Sequence, residues 1–381
     1  MLHLYCSSFT TGRGAVERRP NDPATFAVEG VDLGEDFAKY APVTRLRQER
    51  RYGRLAASRI ADHRPEVVLS SNTPLLAQRI IQQRVHGLGA RFVFWQQDVF
   101  AVAATSFARG RVPVLGAAFG RFLGHLERTM LARSEHVVVI SEDFLPVLRR
   151  WGIDPSSVTV IENWAPLDEL TAPSRPTGWA AAHGLAGQTV LLYSGTLGLK
   201  HNPALLLELA RAMGRRGDTR VVVISEGRGA DWLRAATAEA PEPALVLLPF
   251  QPYDVLAEVL GSADVLLAIL EPEAGAFSVP SKVLSYHCVG TPILAAIPGE
   301  NLAARVIVGA GSGVVVEPTD EAAFVRAAVE LLDDPAARRL MGSGARGYAE
   351  DTFDIVAIAT RFEHILAGAG DRSAPATSPR T

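Results

Sequence analysis

Cysteine, lysine and long apolar runs are what this 381-residue sequence has least of. Two cysteines, Cys6 and Cys288, are too few for a disulfide framework and lack metal-site spacing, which favours a reducing compartment. No apolar run approaches the ~18 to 20 residues that a membrane-spanning helix needs. The first residues lack the basic segment and apolar core of a signal peptide, so we expect a cytoplasmic protein.

Lysine is the rarer of the two strong cations, since Lys39, Lys200 and Lys282 are the only lysines among 38 basic residues. Arginine and lysine are not interchangeable where a compact ammonium must fit against phosphate oxygens. The surroundings of each lysine are therefore informative.

The bulk composition is that of a globular protein long enough for two domains, with 48% hydrophobic and 21% charged residues. Residues 1–165 carry 21 basic and 16 acidic side chains, whereas residues 166–381 carry 17 and 25. The positive balance of the first half suggests an anionic surface or substrate there. We expect no nucleic acid as a partner.

Both halves repeat one pattern, in which a β-branched apolar run is followed by turn-forming residues and a helical stretch. Continuous apolar strands that alternate with helices predict parallel sheets covered on both faces. The fold class is therefore α/β, with two doubly wound Rossmann-like domains in series. The predicted strands lie at 65–71, 91–97, 136–141, 158–163, 189–195, 220–227, 244–250, 264–270, 291–297 and 312–318.

The same pattern predicts the domain boundaries. The first domain spans residues 1–165, a linker rich in proline and turn formers spans 166–184, and the second domain spans 185–347. A helical stretch follows at 348–366, and the tail at 368–381 has the composition of a disordered segment.

Two of the three lysines stand in loops that follow predicted strands, where parallel sheets bind ligands. Lys200 precedes a helix that Asn202 begins, and Gly195 makes the preceding turn flexible. Lys282 lies in the first turn of a helix that Ser281 is expected to cap. A helix N-terminus with a flexible loop and a nearby cation is a phosphate site, so we predict phosphate binding in the second domain.

Four segments of the second half together resemble the donor-binding domain of retaining GT-B glycosyltransferases of the family 4 type. They are YSGTLGLKHNP, the turn SEGRG, LPFQPYDVLAEVLGSADVLLAIL and VPSKVLSYHCVGTPILA. In the first half, FWQQDVF, VVVISEDFLPVLRRWGI and VIENWAP are similar to the acceptor domain of bacterial members that build surface polysaccharides. The resemblance spans roughly residues 60–366, and it implies two domains facing a cleft, with 348–366 crossing back to the first.

The resemblance implies a metal-independent transferase without a cofactor, whose donor is a nucleotide-diphosphate sugar. Lys200 and Lys282 would be catalytic residues, because their positive charge would stabilise the departing diphosphate. The donor's base would lie near Phe250 and Gln251. The implied donor-binding residues are Gly195, Thr196, Lys200, Glu226, Gly227, Gly229, Phe250, Gln251, Ser278, Pro280, Ser281, Lys282, Val283 and Ser285. For the turn Glu226 to Gly229, an ordinary strand-to-helix turn is the alternative.

On the acceptor side, the histidine that is frequent in the family is absent from the end of its strand. By resemblance, we assign the catalytic role to Asp98 and a helper role to Gln97. We also expect Asn72 and Asn163 on the acceptor side. The alternative for Asp98 is that it caps a following helix.

The sequence departs from the family pattern at two further places. Ser285 stands where many relatives have a glutamate that holds the donor ribose, and a serine hydroxyl bonds a ribose more weakly than a carboxylate does. The residues after LHLYCSSF are polar and broken by proline, so the first strand–helix unit of the family is predicted to be missing.

A catalytically weak or inactive GT-B protein that acts as a donor-binding or partner subunit is therefore the second hypothesis. A two-lobed solute-binding protein is disfavoured by the lack of an export signal.

Two segments of the first half combine arginines with apolar side chains, at 44–64 and 99–123. Such segments dock on anionic lipid, and the alternative is that they are solvated helices packing one face on the sheet. We therefore predict a glycan or polyprenyl-diphosphate-linked acceptor, and an enzyme that is peripheral on the inner face of the cell membrane.

Overall fold

The computed structural model describes residues 1–9, 16–38, 41–99, 113–171, 174–198, 201–272 and 280–368. The chain divides into two compact units. Unit 1 contains Met1–Glu162 and the C-terminal stretch from Thr360, and unit 2 contains Asn163–Ala359. The predicted disordered tail lies outside the described residues except for Gly368.

Unit 1 is built on two parallel sheets. β1 (Leu2–Cys6) pairs with β2 (Ala27–Val31), and a second sheet has the order β3 (Val67–Ser71), β4 (Arg91–Gln96), β5 (His136–Val139) and β6 (Val158–Val160). The helices are α1 (Pro42–His63), α2 (Leu75–Gly87), α3 (Pro113–Ala132) and α4 (Leu145–Arg150).

The start of unit 1 differs from what the sequence predicts. β1 is present and runs parallel to β2, with Leu2 opposite Ala27 and Cys6 opposite Val31. In the described residues between these strands, 7–9 and 16–26, there is no helix. The structure therefore corrects the prediction for the strand of the first strand–helix unit.

Unit 2 contains one parallel sheet of the order β12-β11-β10-β7-β8-β9. The strands are β7 (Thr189–Ser194), β8 (Thr219–Ile224), β9 (Leu245–Leu248), β10 (Val265–Ile269), β11 (Ile293–Ala296) and β12 (Gly313–Val316). Each of the ten apolar runs predicted as strands overlaps one of the strands β3 to β12, so this part of the prediction is confirmed.

The helices of unit 2 lie between these strands and after them. They are α5 (Gly178–Ala182), α6 (Pro203–Gly214), α7 (Arg228–Glu239), α8 (Leu256–Gly261), α9 (Lys282–Val289), α10 (Leu302–Gly309), α11 (Glu321–Asp333) and α12 (Pro335–Thr352). The last helix, α13 (Ile355–Ala367), begins in unit 2, and its residues from Thr360 belong to unit 1. There, Phe362 packs on Trp95 with the ring centroids 4.9 Å apart.

The core of unit 2 explains why its strands are apolar throughout. Side chains of a strand alternate between the faces of the sheet. Val190 and Leu192 of β7 belong to one buried cluster, whereas Leu191 and Tyr193 belong to another. Both faces are therefore buried, and a polar residue inside β7 would lose its hydration on either face.

The buried histidine His287 links α9 to the start of β12. Its Nδ1 lies 2.7 Å from the carbonyl oxygen of Val283, which can only accept, so Nδ1 carries the proton. Its Nε2 lies 3.0 Å from Ser312 Oγ and accepts from that hydroxyl. Burial lowers the pKa of His287 to about 4, so the ring is neutral in the folded protein.

We expect His287 to make folding sensitive to acid. An unfolded histidine titrates near pH 6.5, so below this pH the unfolded chain binds a proton that the folded chain excludes. The unfolding free energy should therefore fall by about 2 kcal/mol between pH 7 and pH 5 through this group. In His287→Gln that part of the pH dependence should disappear from urea denaturation curves. His125→Gln, at an exposed position of α3, is the control and should leave it unchanged; equal pH slopes for wild type and His287→Gln would contradict the assignment.

Candidate functional site

The candidate site lies at the carboxyl edge of the sheet of unit 2. The strand order reverses at β7, which pairs with β10 on one side and β8 on the other. In open parallel sheets, the crevice at such a reversal is where ligands bind. Gly195 follows β7, and the helix α9 begins after the loop that follows β10.

Lys282, the first residue of α9, brings its ammonium to this place. Its Nζ lies 3.6 Å from the centroid of the Tyr193 ring. Part of the side chain is accessible, but Nζ itself is buried and has no hydrogen-bond partner among the described residues. Burial lowers the pKa of Lys282 to about 7. The ring face compensates only part of the lost hydration, so an anion placed beside this ammonium would stabilise it.

The end of the Lys282 side chain lies in a slot between the Tyr193 ring and the backbone of Gly195. The φ of Gly195 is +139°, a conformation that favours glycine. A Cβ at this position would lie 2.9 Å from Cε of Lys282 and 3.2 Å from Nζ. The predicted flexible turn is therefore a close approach of backbone to the lysine side chain.

Tyr286 fixes α9 one turn beyond Lys282. Its hydroxyl accepts from the amide of Ser194 at 3.1 Å and lies 3.2 Å from the carbonyl oxygen of Leu267, to which it donates. The helix is thus tied to the end of β7 and to the middle of β10, the two strands at the reversal. Burial raises the pKa of Tyr286 well above its usual range, so the phenol remains a donor.

Ser281 does not cap α9, which is a correction to the sequence prediction. Its backbone is in the αR region, and its side chain makes no capping hydrogen bond. An N-cap side chain reaches the helix amides from an extended backbone, and Ser281 lacks that conformation. The amide of Val283 donates to the carbonyl of Pro280 at 3.1 Å, so it is already engaged.

The loops after β7 and β8 pack on each other. The amide of Gly229 donates to the carbonyl of Leu197 at 2.9 Å, and a Cβ on Gly229 would lie 2.7 Å from the Leu197 side chain. Gly227 has a φ of +100°. The glycines that follow Glu226 thus allow the two loops to pack closely, and donor binding by this turn stays a prediction. Thr196 contributes its carbonyl oxygen to the Tyr193 hydroxyl at 3.1 Å.

The loop after β9 contains Gln251, whose side chain is held at both ends. Its Oε1 accepts from Trp179 Nε1 at 2.9 Å, and its Nε2 donates to the carbonyl of Pro249 at 2.9 Å. Phe250 is partly buried and packs on the core of unit 2. Trp179 is buried in the same core, although the sequence places it in the linker. The sequence did not predict a role for Trp179. The one indication of its burial was its place in a short apolar stretch, GWAAA.

The remaining predicted site residues lie on α9, in unit 1, at the start of unit 2 or outside the described residues. Ser285 lies half-buried on α9, and its hydroxyl makes no hydrogen bond within the described part of the chain. Asn72 follows β3 with a φ of +49°, and Gln97 and Asp98 follow β4, all in unit 1. Asn163 is the first residue of unit 2. Lys200 and Ser278 lie outside the described residues.

A buried polar pair supports the strand end that precedes Asp98. Gln96 Nε2 donates to Glu127 Oε1 at 2.9 Å, and both residues are buried. Glu127 lies on α3, far from Gln96 in sequence. Sequence analysis did not single out this pair, because neither residue belongs to a recognisable motif.

Two features are absent from the described residues, a metal-binding cluster and a helix able to span a bilayer. Within the ranges that the structure describes, no three His, Cys, Asp or Glu side chains are grouped as a metal site would require. In the same ranges, none of the helices has the length and hydropathy of a bilayer-spanning segment.

Comparison with known families matches each half of the chain to a different model. Residues 16–169 match the model described as Glycosyltransferase Family 4, and residues 188–334 match Glycosyl transferases group 1. The chain is 29% identical over 273 residues to the D-inositol 3-phosphate glycosyltransferase of Geodermatophilus obscurus, a match that covers 66% of this chain and 58% of that protein.

A second relative and two solved structures complete the comparison. The GDP-mannose-dependent monoacylated alpha-(1-6)-phosphatidylinositol monomannoside mannosyltransferase of Corynebacterium glutamicum is 24% identical over 170 residues, 44% of each chain. The matches thus span about half the length of the curated relatives. Sucrose-phosphate synthase of Thermosynechococcus elongatus has a TM-score of 0.71 at 16% identity, covering 98% of this chain and 89% of its own. Anabaena HepE in complex with UDP-glucose has a TM-score of 0.67 at 14% identity, covering 90% and 86%. These structures show that the fold is GT-B.

We expect Lys282 to reduce the stability of the protein without ligand. A buried ammonium that makes no hydrogen bond opposes folding, and methionine fills a similar volume without a charge. Lys282→Met should therefore raise the unfolding free energy by about 1 to 3 kcal/mol near neutral pH. Chemical denaturation measures the change. Lys39→Met, outside unit 2, serves as a control for the loss of one lysine; a Lys282→Met protein less stable than wild type would contradict the expectation.

Proposed function

We propose that this chain, which carries both domains of a GT-B glycosyltransferase, transfers a sugar with retention from a nucleotide-diphosphate sugar. The acceptor is a glycan or a polyprenyl-linked glycan in cell-surface polysaccharide biosynthesis. The family models of both halves and the glycosyltransferase relatives support the class of reaction. The donor, the acceptor and the stereochemistry are our proposal.

The observation that carries the proposal is the buried ammonium of Lys282 at the strand-order reversal of unit 2, which has no hydrogen-bond partner among the residues that the structure describes. A diphosphate placed there would meet the positive charge of Lys282 and the N-terminal end of α9, whose dipole also favours anions. Because Nζ is buried, its interaction with an anion is screened little by water. The site is thus suited to a ligand with adjacent phosphates.

The same arrangement suits the chemistry of transfer. The acceptor oxygen forms a bond to the anomeric carbon while the bond from that carbon to the β-phosphate oxygen breaks, and the acceptor proton leaves with the diphosphate. Negative charge grows on the departing oxygen, and Lys282 stabilises it there. Lys200 is proposed to assist from the loop after β7. In this proposal the transfer uses neither a metal nor a cofactor.

In unit 1 we assign the catalytic position to Asp98, with Gln97 beside it. Both follow β4 and are half-buried. The Gln96–Glu127 pair holds the end of this strand, which supports a defined orientation for the residues that follow. Asn72, exposed after β3, and Asn163 are proposed acceptor contacts.

Ser285 favours a second candidate function, a donor-binding GT-B protein with weak or no turnover. It lies one turn after Lys282 on α9, and its hydroxyl is available to a donor ribose. A serine gives a neutral hydrogen bond where a carboxylate would give a stronger one. Donor binding without sugar transfer or hydrolysis would support this candidate over the first.

The proposed membrane association depends on the exposed side of α1. Arg47, Arg50, Arg51 and Arg54 are exposed there. Glu35 pairs with Arg47 at 2.9 Å and lies 4.0 Å from Arg51, so part of this charge is compensated. On α3, Phe122 is 50% exposed, whereas the side chain of Phe119 lies outside the described set. Exposed arginines with nearby apolar side chains support docking on anionic lipid.

We expect a nucleotide sugar to stabilise the wild-type protein, and Lys282→Met to abolish this effect. The probes are UDP-glucose, GDP-mannose, ADP-glucose and dTDP-glucose, and the measurement is the change in Tm. At least one should raise Tm by several degrees, because a ligand that binds only the folded state stabilises it by mass action. Since the pKa of Lys282 is about 7, this stabilisation should weaken as the pH rises from 7 to 9 and the ammonium loses its proton.

Lys282→Arg is the matched control, because arginine keeps its charge over this pH range. Any binding that it retains should lose the pH dependence. The donor assignment fails if no nucleotide sugar changes the Tm of the folded wild type, or if Lys282→Met responds as wild type does.

We expect the arginines of α1 to contribute to binding of anionic vesicles. Arg50→Glu/Arg54→Glu should reduce co-flotation with phosphatidylglycerol vesicles several-fold, because each basic residue near an anionic surface contributes about 1 kcal/mol. Arg215→Glu/Arg326→Glu makes the same change in net charge at exposed positions of unit 2 and should float as wild type does. Equal recovery of both double variants would count against docking through α1.

A further inference from the structure

The side-chain amide of Gln251 has only one orientation that its neighbours allow. The indole Nε1 of Trp179 is a donor only, so the amide atom 2.9 Å away must be the oxygen. The carbonyl of Pro249 is an acceptor only, so the atom 2.9 Å from it must be the nitrogen. Two independent neighbours therefore determine the same orientation.

The two ends of this amide differ in their exposure. The bond between Oε1 and Trp179 is partly buried, whereas the bond from Nε2 to Pro249 is exposed. One of the two N–H groups of Nε2 is used by Pro249, and the other has no partner in the described part of the chain. The loop thus presents a hydrogen-bond donor toward the solvent and keeps the acceptor inside.

Trp179 is itself rigidly held. Its backbone amide donates to Glu258 Oε2 at 2.9 Å, and its ring stacks on His183 with the centroids 4.3 Å apart. Thr177, which begins the same helix, lies 2.6 Å from Ser262 through the two hydroxyl oxygens. The helix α5 is therefore bonded to α8 and to the residue after it, independently of Gln251.

The loop that carries Gln251 follows β9, which is separated from β7 only by β8. Two strand spacings correspond to about 10 Å, a distance that a nucleoside spans when its diphosphate lies at Lys282. This step rests on the proposed function, which puts the diphosphate at that lysine.

We propose that Trp179 is a positioning residue that sets the base selectivity of the donor site by fixing the amide of Gln251. An amide locked with its N–H outward favours a base that presents a carbonyl oxygen. Uracil, thymine and guanine present such an oxygen, whereas cytosine and adenine present an amino group at the corresponding position. The donor is therefore a nucleotide sugar with a carbonyl-bearing base.

Two pairs of nucleoside diphosphates test this inference, because the members of each pair differ in one carbonyl or amino group. The Kd values of UDP and CDP, and of IDP and ADP, are measured by calorimetry with the intact protein. In the pair that the site accepts, the nucleotide whose base bears the carbonyl should bind on the order of 10-fold more tightly. In the other nucleotide the amino group of the base faces the N–H of Gln251, and two donors cannot form a hydrogen bond. In Trp179→Phe this ratio should fall to about 2 or less, because phenylalanine keeps the ring but lacks the N–H that fixes the amide.

Three comparisons separate positioning from a general structural effect. Thr177→Val breaks the bond of α5 to Ser262 but not the one to Gln251, so the ratio should remain as in wild type. Gln251→Leu should lose the ratio as Trp179→Phe does, and the double variant should lose no more. The Kd of inorganic diphosphate should be the same in Trp179→Phe and wild type, because Lys282 is unchanged.

The outcomes distinguish this inference from the proposed function. If no nucleoside diphosphate binds the folded wild type, the donor assignment fails and the inference fails with it. If nucleoside diphosphates bind but the amino member of a pair binds equally or better, only the base preference is overturned. A Trp179→Phe protein that keeps the full wild-type ratio overturns the role of Trp179.

Discussion

Lys282 holds its ammonium where water does not reach it, between the Tyr193 ring and the backbone of Gly195. Without an anion such a position opposes folding, because the charge loses its hydration and gains only a ring face in exchange. The surrounding structure must therefore hold the lysine in place. Tyr286 ties α9 to the end of β7 and to the middle of β10, and the neutral His287 joins the same helix to the start of β12.

The sheet supports this arrangement because of its strand order. β7 lies at the reversal and is buried on both faces, so packing on each face determines its position. The loops that follow β7 and β8 are packed on one another through Leu197 and Gly229. Unit 2 thus places the proposed anion site near a second loop, the one after β9 that Trp179 contacts through Gln251. A nucleotide sugar is a ligand with both features, an anionic centre and a planar base.

Local patterns were enough for much of this description. The apolar runs predicted the strands β3 to β12, and Asn202 caps α6 as its sequence context indicates, with its side chain accepting from the amide of Ala204 at 3.0 Å. The placement of Lys282 at a helix start could also be predicted, because it depends on neighbours in sequence. The capping role of Ser281 was wrong, since a cap requires an extended backbone and the loop imposes αR. Trp179 was read as part of a linker, because its partners Gln251 and Glu258 are more than 70 residues away.

By itself the sequence determined the alternation of strands and helices, the two-domain α/β class and the loops in which chemistry-bearing residues stand. These follow from periodicity and turn residues, which act over a few positions. Only the tertiary structure decided which groups meet. It placed Lys282 over Tyr193, closed the slot at Gly195 and turned the Gln251 amide toward Trp179. Such contacts join residues that are distant in the chain, and they depend on how strands are ordered in the sheet, which no local pattern records.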